Sequence, residues 1–534
     1  MKQPWITRGP ALLVAGLIAL GTLANAQVIK NKGTITNNTG QTISATRFEN
    51  GKSGVGGTLV NAGTVSVTNS GGFFNYDSAN SNGYGLVINF KNGATAGTID
   101  VSTGKYDNGN GLTNNDSLTT FKGIIKVGTT LTNGAGGTFD TDSGEVQFVG
   151  GSQTVPNNVV NSTYGYLVSG GTGVKQLAGN IVVDQSLTAN QNVDVNGKDL
   201  TLNNTVGGAG SIVASGVNSR VIYNASGGTQ TVLPGTYYSL TLQNGGSKNA
   251  SGDVTLGAGT LTTAASTTFD LSTHQLATAA GTSVSNTGTI RTQGTVTFGA
   301  AHTIAGTFIY ENATTSQTLG GANYTNLTLQ GGSGPSGQKN FPAATVGIAG
   351  TFTVSGANRD YTGSTVNYNG ASAQSVISGE SYNNLTVSGA TDTSTANEKT
   401  ASGSLSIAGA LSIAANTALD MGSNSFSTLG SGSLAGTGKI RWAGSNSHVV
   451  GGAGTTEFYG GSASTVAAGT YGNIWFNGAG TKTISGAVIA TAGNSASFGV
   501  TVSNNLTVTG SLTVTGMDLN NDGSLTNSGT ITVN

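Results

Sequence analysis

Ala322-Asn323-Tyr324-Thr325-Asn326-Leu327-Thr328-Leu329-Gln330-Gly331-Gly332 decides how this 534-residue chain is read, because versions of it return five times with the same neighbours. The five are Tyr164-Gly-Tyr-Leu-Val-Ser-Gly, Tyr237-Tyr-Ser-Leu-Thr-Leu, Tyr324-Thr-Asn-Leu-Thr-Leu, Tyr382-Asn-Asn-Leu-Thr-Val and Tyr471-Gly-Asn-Ile-Trp-Phe. Each runs from a tyrosine to an aliphatic residue three positions on. An aromatic strand precedes each: Val146-Gln-Phe148, Val221-Ile-Tyr223, Phe308-Ile-Tyr310, Val366-Asn-Tyr368 and Glu457-Phe-Tyr459. In four copies a Gln-Ser/Thr step follows that strand (Gln153, Gln230, Gln317, Gln374), and the fifth has Ser464-Thr465. Downstream, after a glycine-rich turn, comes one lysine: Lys175, Lys248, Lys339, Lys399 or Lys482. Self-similarity on this scale marks a repeat architecture.

The tyrosines stand 73, 87, 58 and 89 residues apart, which excludes a strict helical array. Between them short Val/Ile/Leu alternations recur with Thr, Ser and Asn on the other face, as in Asp253-Val-Thr-Leu256 and Thr295-Val-Thr-Phe298. That is the pattern of half-buried strands. Gly or Asn between them supplies the corners. Few two-residue Asn-Gly hairpins interrupt the run, so the spacing predicts an all-β chain: one continuous stack of parallel coils, a right-handed β-solenoid without a helical domain. At roughly 20 to 29 residues per coil the expected count is about 18 to 25 coils, spaced ~4.8 Å apart. The tyrosines are expected to pack at a coil edge with their hydroxyls in solvent. The lysines are expected at solvated corners that discourage sideways sheet pairing.

Four sections follow. Residues 1–26 have the form of a signal peptide: Lys2 and Arg8, the apolar run Ala11 to Leu23, then Ala24-Asn25-Ala26 as a cleavage site. Residues 27–143 carry strands without the tyrosine unit, 144–487 hold the five units, and 488–534 form the last coils. The chain is therefore expected to be secreted and extracellular, at a bacterial surface. No later stretch reaches the roughly 18 apolar residues of a membrane span. With no cysteine, disulfides contribute nothing. Lys+Arg is 21 against Asp+Glu 22, and only 8% of residues are charged, so a nucleic-acid partner is not expected.

Catalytic and metal chemistry find little support. Carboxylates are sparse, and His274, His302 and His448 are isolated from one another. Asp518-Leu-Asn520-Asn-Asp522-Gly523 opens like a calcium loop, but Gly529 stands where a bidentate Glu is required. The expectation is no enzyme, no catalytic residue, no metal and no cofactor.

The two ends say more. Asn31-Lys32-Gly33-Thr34-Ile35-Thr36 returns near the other end as Asn527-Ser528-Gly529-Thr530-Ile531-Thr532. Lys30 and Lys32 mark the first coil, Asp518 and Asp522 the last. Without capping units, such ends predict head-to-tail strand addition between copies, with Ile29, Lys30, Lys32, Thr34, Ile35 and Thr36 on one edge and Asp522, Thr530, Ile531, Thr532 and Val533 on the other.

Units such as Ser404-Leu-Ser-Ile-Ala-Gly-Ala-Leu-Ser-Ile413 resemble those of large exported bacterial β-solenoids: adhesin passengers, filamentous-haemagglutinin-like rods and pectin-lyase-like helices. The resemblance implies an extracellular structural protein whose partner is a copy of itself. Its alternatives are a monomeric adhesin that holds surface glycans on its tyrosine-bearing face, and a polysaccharide lyase or hydrolase.

Overall fold

The structure is a computed structural model. It describes residues 144–332, 335–390, 397–430, 433–446, 451–452, 454–491, 500–515 and 518–534 and, before them, 22–31, 34–38, 40–50, 58–67, 73–75, 86–89, 98–101, 106–108, 112–113, 124–133, 139–141 and the short strands 5–6, 12–14, 91–92 and 95–96. Alternating Val/Ile/Leu with Thr/Ser leaves each short strand one apolar face, and a strand of three or four residues cannot cover that face alone. It does so by pairing with the strand one coil on. The chain is a parallel β-solenoid of about 20 turns. Residues 1–288 and 289–534 form two compact units.

In the first unit the consequence is a column of like on like. Ile43, Val65, Ile99, Ile125, Val146, Leu167, Leu187 and Val206 are register partners from one coil to the next, and every one is buried. At about 2 kcal/mol for each aliphatic side chain removed from water, such columns supply the main favourable term. The second unit runs a mixed column, Ile304, Tyr324, Ile348, Tyr368, Val387 and Ile413, also buried throughout.

Three strands make a coil where the pattern is most regular: Val500–Val502, Asn505–Val508 and Ser511–Thr515 lie beneath Leu519–Asn521, Ser524–Asn527 and Thr530–Val533. Coil length varies more than the expected 20 to 29 residues. Partners one coil apart are separated by as few as 16 residues, Arg441 to Glu457, and as many as 34, Thr64 to Thr98. Corners absorb the difference, because only the strands are tied to the ladder. No helix among the described residues is long and apolar enough to cross a membrane.

Candidate assembly edges and the repeated corner

The repeated unit folds into a buried corner, contrary to the expectation of solvated side chains. Tyr164, Tyr237, Tyr324, Tyr382 and Tyr471 are all fully buried. In three units the tyrosine meets the aromatic residue that precedes it by a fixed step: Tyr223 Oη lies 3.1 Å from Tyr237 Oη, Tyr310 Oη 2.8 Å from Tyr324 Oη, and Tyr368 Oη 2.9 Å from Tyr382 Oη. Each pair also clamps the chain between its members. Tyr324 donates to the Gly320 carbonyl at 2.7 Å while the Gly320 N–H donates to Tyr310 Oη at 2.9 Å. Where the earlier position is Phe148 or Phe458, the unit tyrosine still donates to a backbone carbonyl, of Pro156 or Ala467, at 2.7 Å. Burial pushes these phenols up, Tyr223, Tyr310 and Tyr471 to about 12. With no ring face open to solvent, these tyrosines cannot stack on a sugar.

The Gln and the Lys of each unit are one coil apart and in register: Gln153 with Lys175, Gln230 with Lys248, Gln317 with Lys339, Gln374 with Lys399, and Ser464 with Lys482. All five lysines are buried, which corrects the reading of them as solvated corners. The glutamine carboxamide ties two coils together. Gln374 Nε2 donates to the carbonyls of Ile348 and Gly350, one coil below, at 2.8 and 2.9 Å, and its Oε1 accepts from the Gly370 N–H at 2.8 Å. Gln153, Gln230 and Gln317 repeat the pattern.

Above each glutamine the ammonium group plugs the turn with backbone carbonyls. Lys175 Nζ donates to Gly150, Gly151 and Thr172 at 3.0, 2.6 and 2.9 Å. Lys482 reaches Gly460 and Gly480, both at 2.7 Å. Lys248 bonds Ala225, Lys339 bonds Asn312 and Gly337, and Lys399 bonds Gly370 and Ser372. Gly150 and Gly460 also accept backbone N–H groups, from Thr172 at 2.9 Å and Gly480 at 3.4 Å, whereas a corner carbonyl buried without any donor would cost about 1–3 kcal/mol. One cation with three donors satisfies several at once. Desolvation pushes all five lysines below their ordinary range, Lys339 to about 8 against the opposing pull of the Glu311 carboxylate. In the fifth unit Ser464 is buried, and its hydroxyl has no hydrogen-bond partner among the described residues. Its side chain is too short to repeat the glutamine bridge.

The third unit departs from this pattern. One coil above the lysine the other units set Val193, Phe269, Leu419 or Leu506, whereas Lys339 lies beneath Arg359. Arg359 forks onto Glu380 at 2.7 and 2.6 Å, and Tyr361 Oη donates to the same carboxylate at 2.7 Å. They line an open notch of about 350 Å3. A second ionic group joins Arg441 to Glu398 and Glu457, with Lys439 3.2 Å from Glu457. In both groups the charges answer one another within the fold.

Between residues 22 and 133 the corner is built differently. Ile29-Lys-Asn31, Phe48-Glu-Asn50, Phe73-Phe-Asn75, Tyr106-Asp-Asn108 and Leu131-Thr-Asn133 stack in register, so that Asn31, Asn50, Asn75, Asn108 and Asn133 form one file. A second file holds Asn37, Asn61 and Asn89. Asn31 Nδ2 donates to Asn50 Oδ1 and Asn37 Nδ2 to Asn61 Oδ1, both at 2.7 Å, with all four residues buried. Phe48 and Phe73 stack at 4.9 Å beside the first file.

The expected edge residues lie toward the two ends of the stack, but Ile29 and Lys30 are paired on both sides, with Leu12 and Leu13 and with Phe48 and Glu49. Ile29 and Lys30 end the strand Thr22–Asn31, Thr34, Ile35 and Thr36 lie in Thr34–Asn37, and Lys32 lies outside the described residues. Among the described residues Thr34–Asn37 is the terminal strand of its sheet, paired with Thr58–Asn61. At the other end Leu519–Asn521, Ser524–Asn527 and Thr530–Val533 each terminate a sheet. Asp522 and Thr530 are exposed, Ile531 and Thr532 half-buried, and Val533 is 52% exposed, whereas Leu512 and Val514 directly beneath the last strand are buried. His302 is buried against Phe298, His274 is half-buried, and His448 lies outside the described residues.

Compared with known proteins, the chain matches no family model, no curated protein and no solved structure. The geometry above therefore carries the functional argument.

Proposed function

We propose that this chain is an extracellular structural protein whose coils stack head to tail, copy on copy, into filaments or a surface matrix. The observation that carries the reading is the last coil. Among the described residues each of its three strands ends a sheet, and Leu525, Ile531 and Val533 are left partly in water where Leu506, Leu512 and Val514 one coil below are sealed. Open parallel edges over an incompletely covered apolar column are a template for another coil. Contact between two different surfaces of the same molecule does not close on itself, so it propagates. The tyrosine-face adhesin loses its contact surface, because those rings are interior.

Sedimentation velocity of the exported, processed protein over a hundredfold concentration range tests this. Open-ended growth, with a ladder of sizes and no preferred oligomer, is the expected result. A single species at every concentration overturns it.

A further inference from the structure

Resting on the head-to-tail reading, a more specific inference concerns which strand meets which. The first and last coils carry the same sequence motif. Asn31-Lys-Gly-Thr-Ile-Thr-Asn37 and Asn521-Asp-Gly-Ser-Leu-Thr-Asn527 each link a first strand ending in Asn to a second strand ending in Asn through two residues. The third strands agree as well, Thr42-Ile-Ser-Ala45 and Thr530-Ile-Thr-Val533.

The asparagines are the informative part. Beneath Asn521 stands Val502 and beneath Asn527 stands Val508, so amides begin afresh in the last coil, on positions that are aliphatic one coil below. Asn521 and Asn527 are exposed there. In the first coil the same two positions open the two asparagine files, and each amide donates in one direction, from Asn31 to Asn50 and from Asn37 to Asn61.

We infer that the last coil receives the first coil of a second copy strand for strand: Leu519–Asn521 under Ile29–Asn31, Ser524–Asn527 under Thr34–Asn37, and Thr530–Val533 under Thr42–Ala45. Asn521 then donates to Asn31 and Asn527 to Asn37, so both amide files run on through the junction in their existing direction. Leu519, Leu525 and Ile531 meet Ile29, Ile35 and Ile43, which continues the apolar columns. Stacked identical amides with parallel, in-register strands are the arrangement that makes cross-β assemblies stable.

Charge selects the same partner. Asp522 occupies the place in the motif that Lys32 occupies in the first coil. In sequence Asp522 follows Asn521 as Lys32 follows Asn31, so the head-to-tail register pairs positions of opposite charge, whereas contact of two last coils sets Asp522 against Asp522.

The unprocessed chain covers this edge itself. Leu12–Val14 pairs in parallel with Leu12 on Ile29 and Val14 on Asn31, and Thr22, Leu23 and Ala26 pair with Thr42, Ile43 and Ala45. These residues belong to the segment expected to be removed, so two of the three receiving strands open only on processing. Assembly thereby waits for export.

The test is a charge exchange read by the critical concentration for assembly of the exported, processed protein. Asp522→Lys alone and Lys32→Asp alone should each raise it about tenfold, the equivalent of 1.4 kcal/mol, and the two together should restore it. Asn521→Leu with Asn527→Leu, both at exposed positions, should raise it further while circular dichroism stays unchanged. The chain with its leader retained should not assemble. If the wild-type protein forms no open-ended assemblies, the head-to-tail reading itself fails. If it assembles, but the exchanges are neutral or the double exchange does not rescue, the strand register is overturned while head-to-tail stacking stands.

Discussion

The coils between residues 22 and 133 and those of the five repeats solve the same problem by opposite means. Both must satisfy buried polar groups at corners where the ladder cannot. The early coils set asparagines in register, with Asn31 donating to Asn50 and Asn37 to Asn61. The repeats use an unlike set, a glutamine, a lysine above it and a tyrosine clamp. A file of like residues has no natural end, since every member asks for another of its kind. A plug is self-contained: the ammonium group of Lys175 fills one turn and asks nothing of the coil beyond, where Val193 follows. Extensible chemistry suits an edge that meets another copy, and closed chemistry suits an interior. Amide contacts between coils also occur within the repeats, where Asn224 donates to Asn203 at 2.9 Å, and asparagine stands again in the last coil at Asn521 and Asn527.

Substitutions can break that contrast, and the largest effect belongs to the plug. Lys399→Met keeps the stem and removes the donors, orphaning the Gly370 and Ser372 carbonyls. The expected loss is about 2–4 kcal/mol. Because a solenoid is stabilised between neighbouring coils, amide hydrogen exchange should speed up in the coils around residues 366–413 and stay unchanged in the early coils. A uniform change would mean the plug is not local. Asn50→Leu breaks the first file in its interior and should cost about 1–2 kcal/mol in thermal unfolding, with protection lost in the flanking coils of that file. Smaller still is Tyr310→Phe, at about 1 kcal/mol, because Phe148 and Phe458 already occupy that place in two units. Lys339→Met and Tyr310→Phe both act on the third unit, so their effects should not add.

Alkaline titration sharpens the picture through opposing signs. Lys339 holds its proton less tightly when folded, about 8 against an ordinary 10.5, so the unfolded chain binds more protons between those values and stability should climb across that window. The buried phenols of Tyr223, Tyr310 and Tyr471 are raised from 10.0 to about 12. Their contribution is fully present below pH 10 and is lost as pH rises from 10 to 12. Denaturant midpoints should therefore rise toward pH 10 and fall beyond it. A monotonic fall from pH 8 would contradict the buried position of the lysine.

The solenoid was legible because aliphatic residues alternating with Thr and Ser, punctuated by Gly and Asn, leave few other ways to bury a strand. The corners were not. Lys is usually at surfaces and Tyr is intermediate, and nothing local to Lys248 or Tyr324 reports the carbonyls that they meet. A usable signal did exist: each lysine follows its glutamine by about one coil, which is where a stacked partner must fall. The asparagine files were hidden by uneven coils, since Asn31, Asn50, Asn75, Asn108 and Asn133 are spaced by 19, 25, 33 and 25 residues and no fixed period finds them. At the candidate edge the likeness of the end coils was visible. Its register was not, because Thr34-Ile35-Thr36 resembles both Ser524-Leu-Thr526 and Thr530-Ile531-Thr532.

The central claim is that an asparagine file passes from one molecule into the next. Cryo-electron microscopy of the assembled, processed protein tests it at the junction. The account predicts the strand Ser524–Asn527 in parallel contact with Thr34–Asn37 of the neighbouring subunit, the ~4.8 Å strand spacing unbroken across the boundary, and Asn527 facing Asn37. Subunits joined side by side, or end to end through two identical ends, would contradict it.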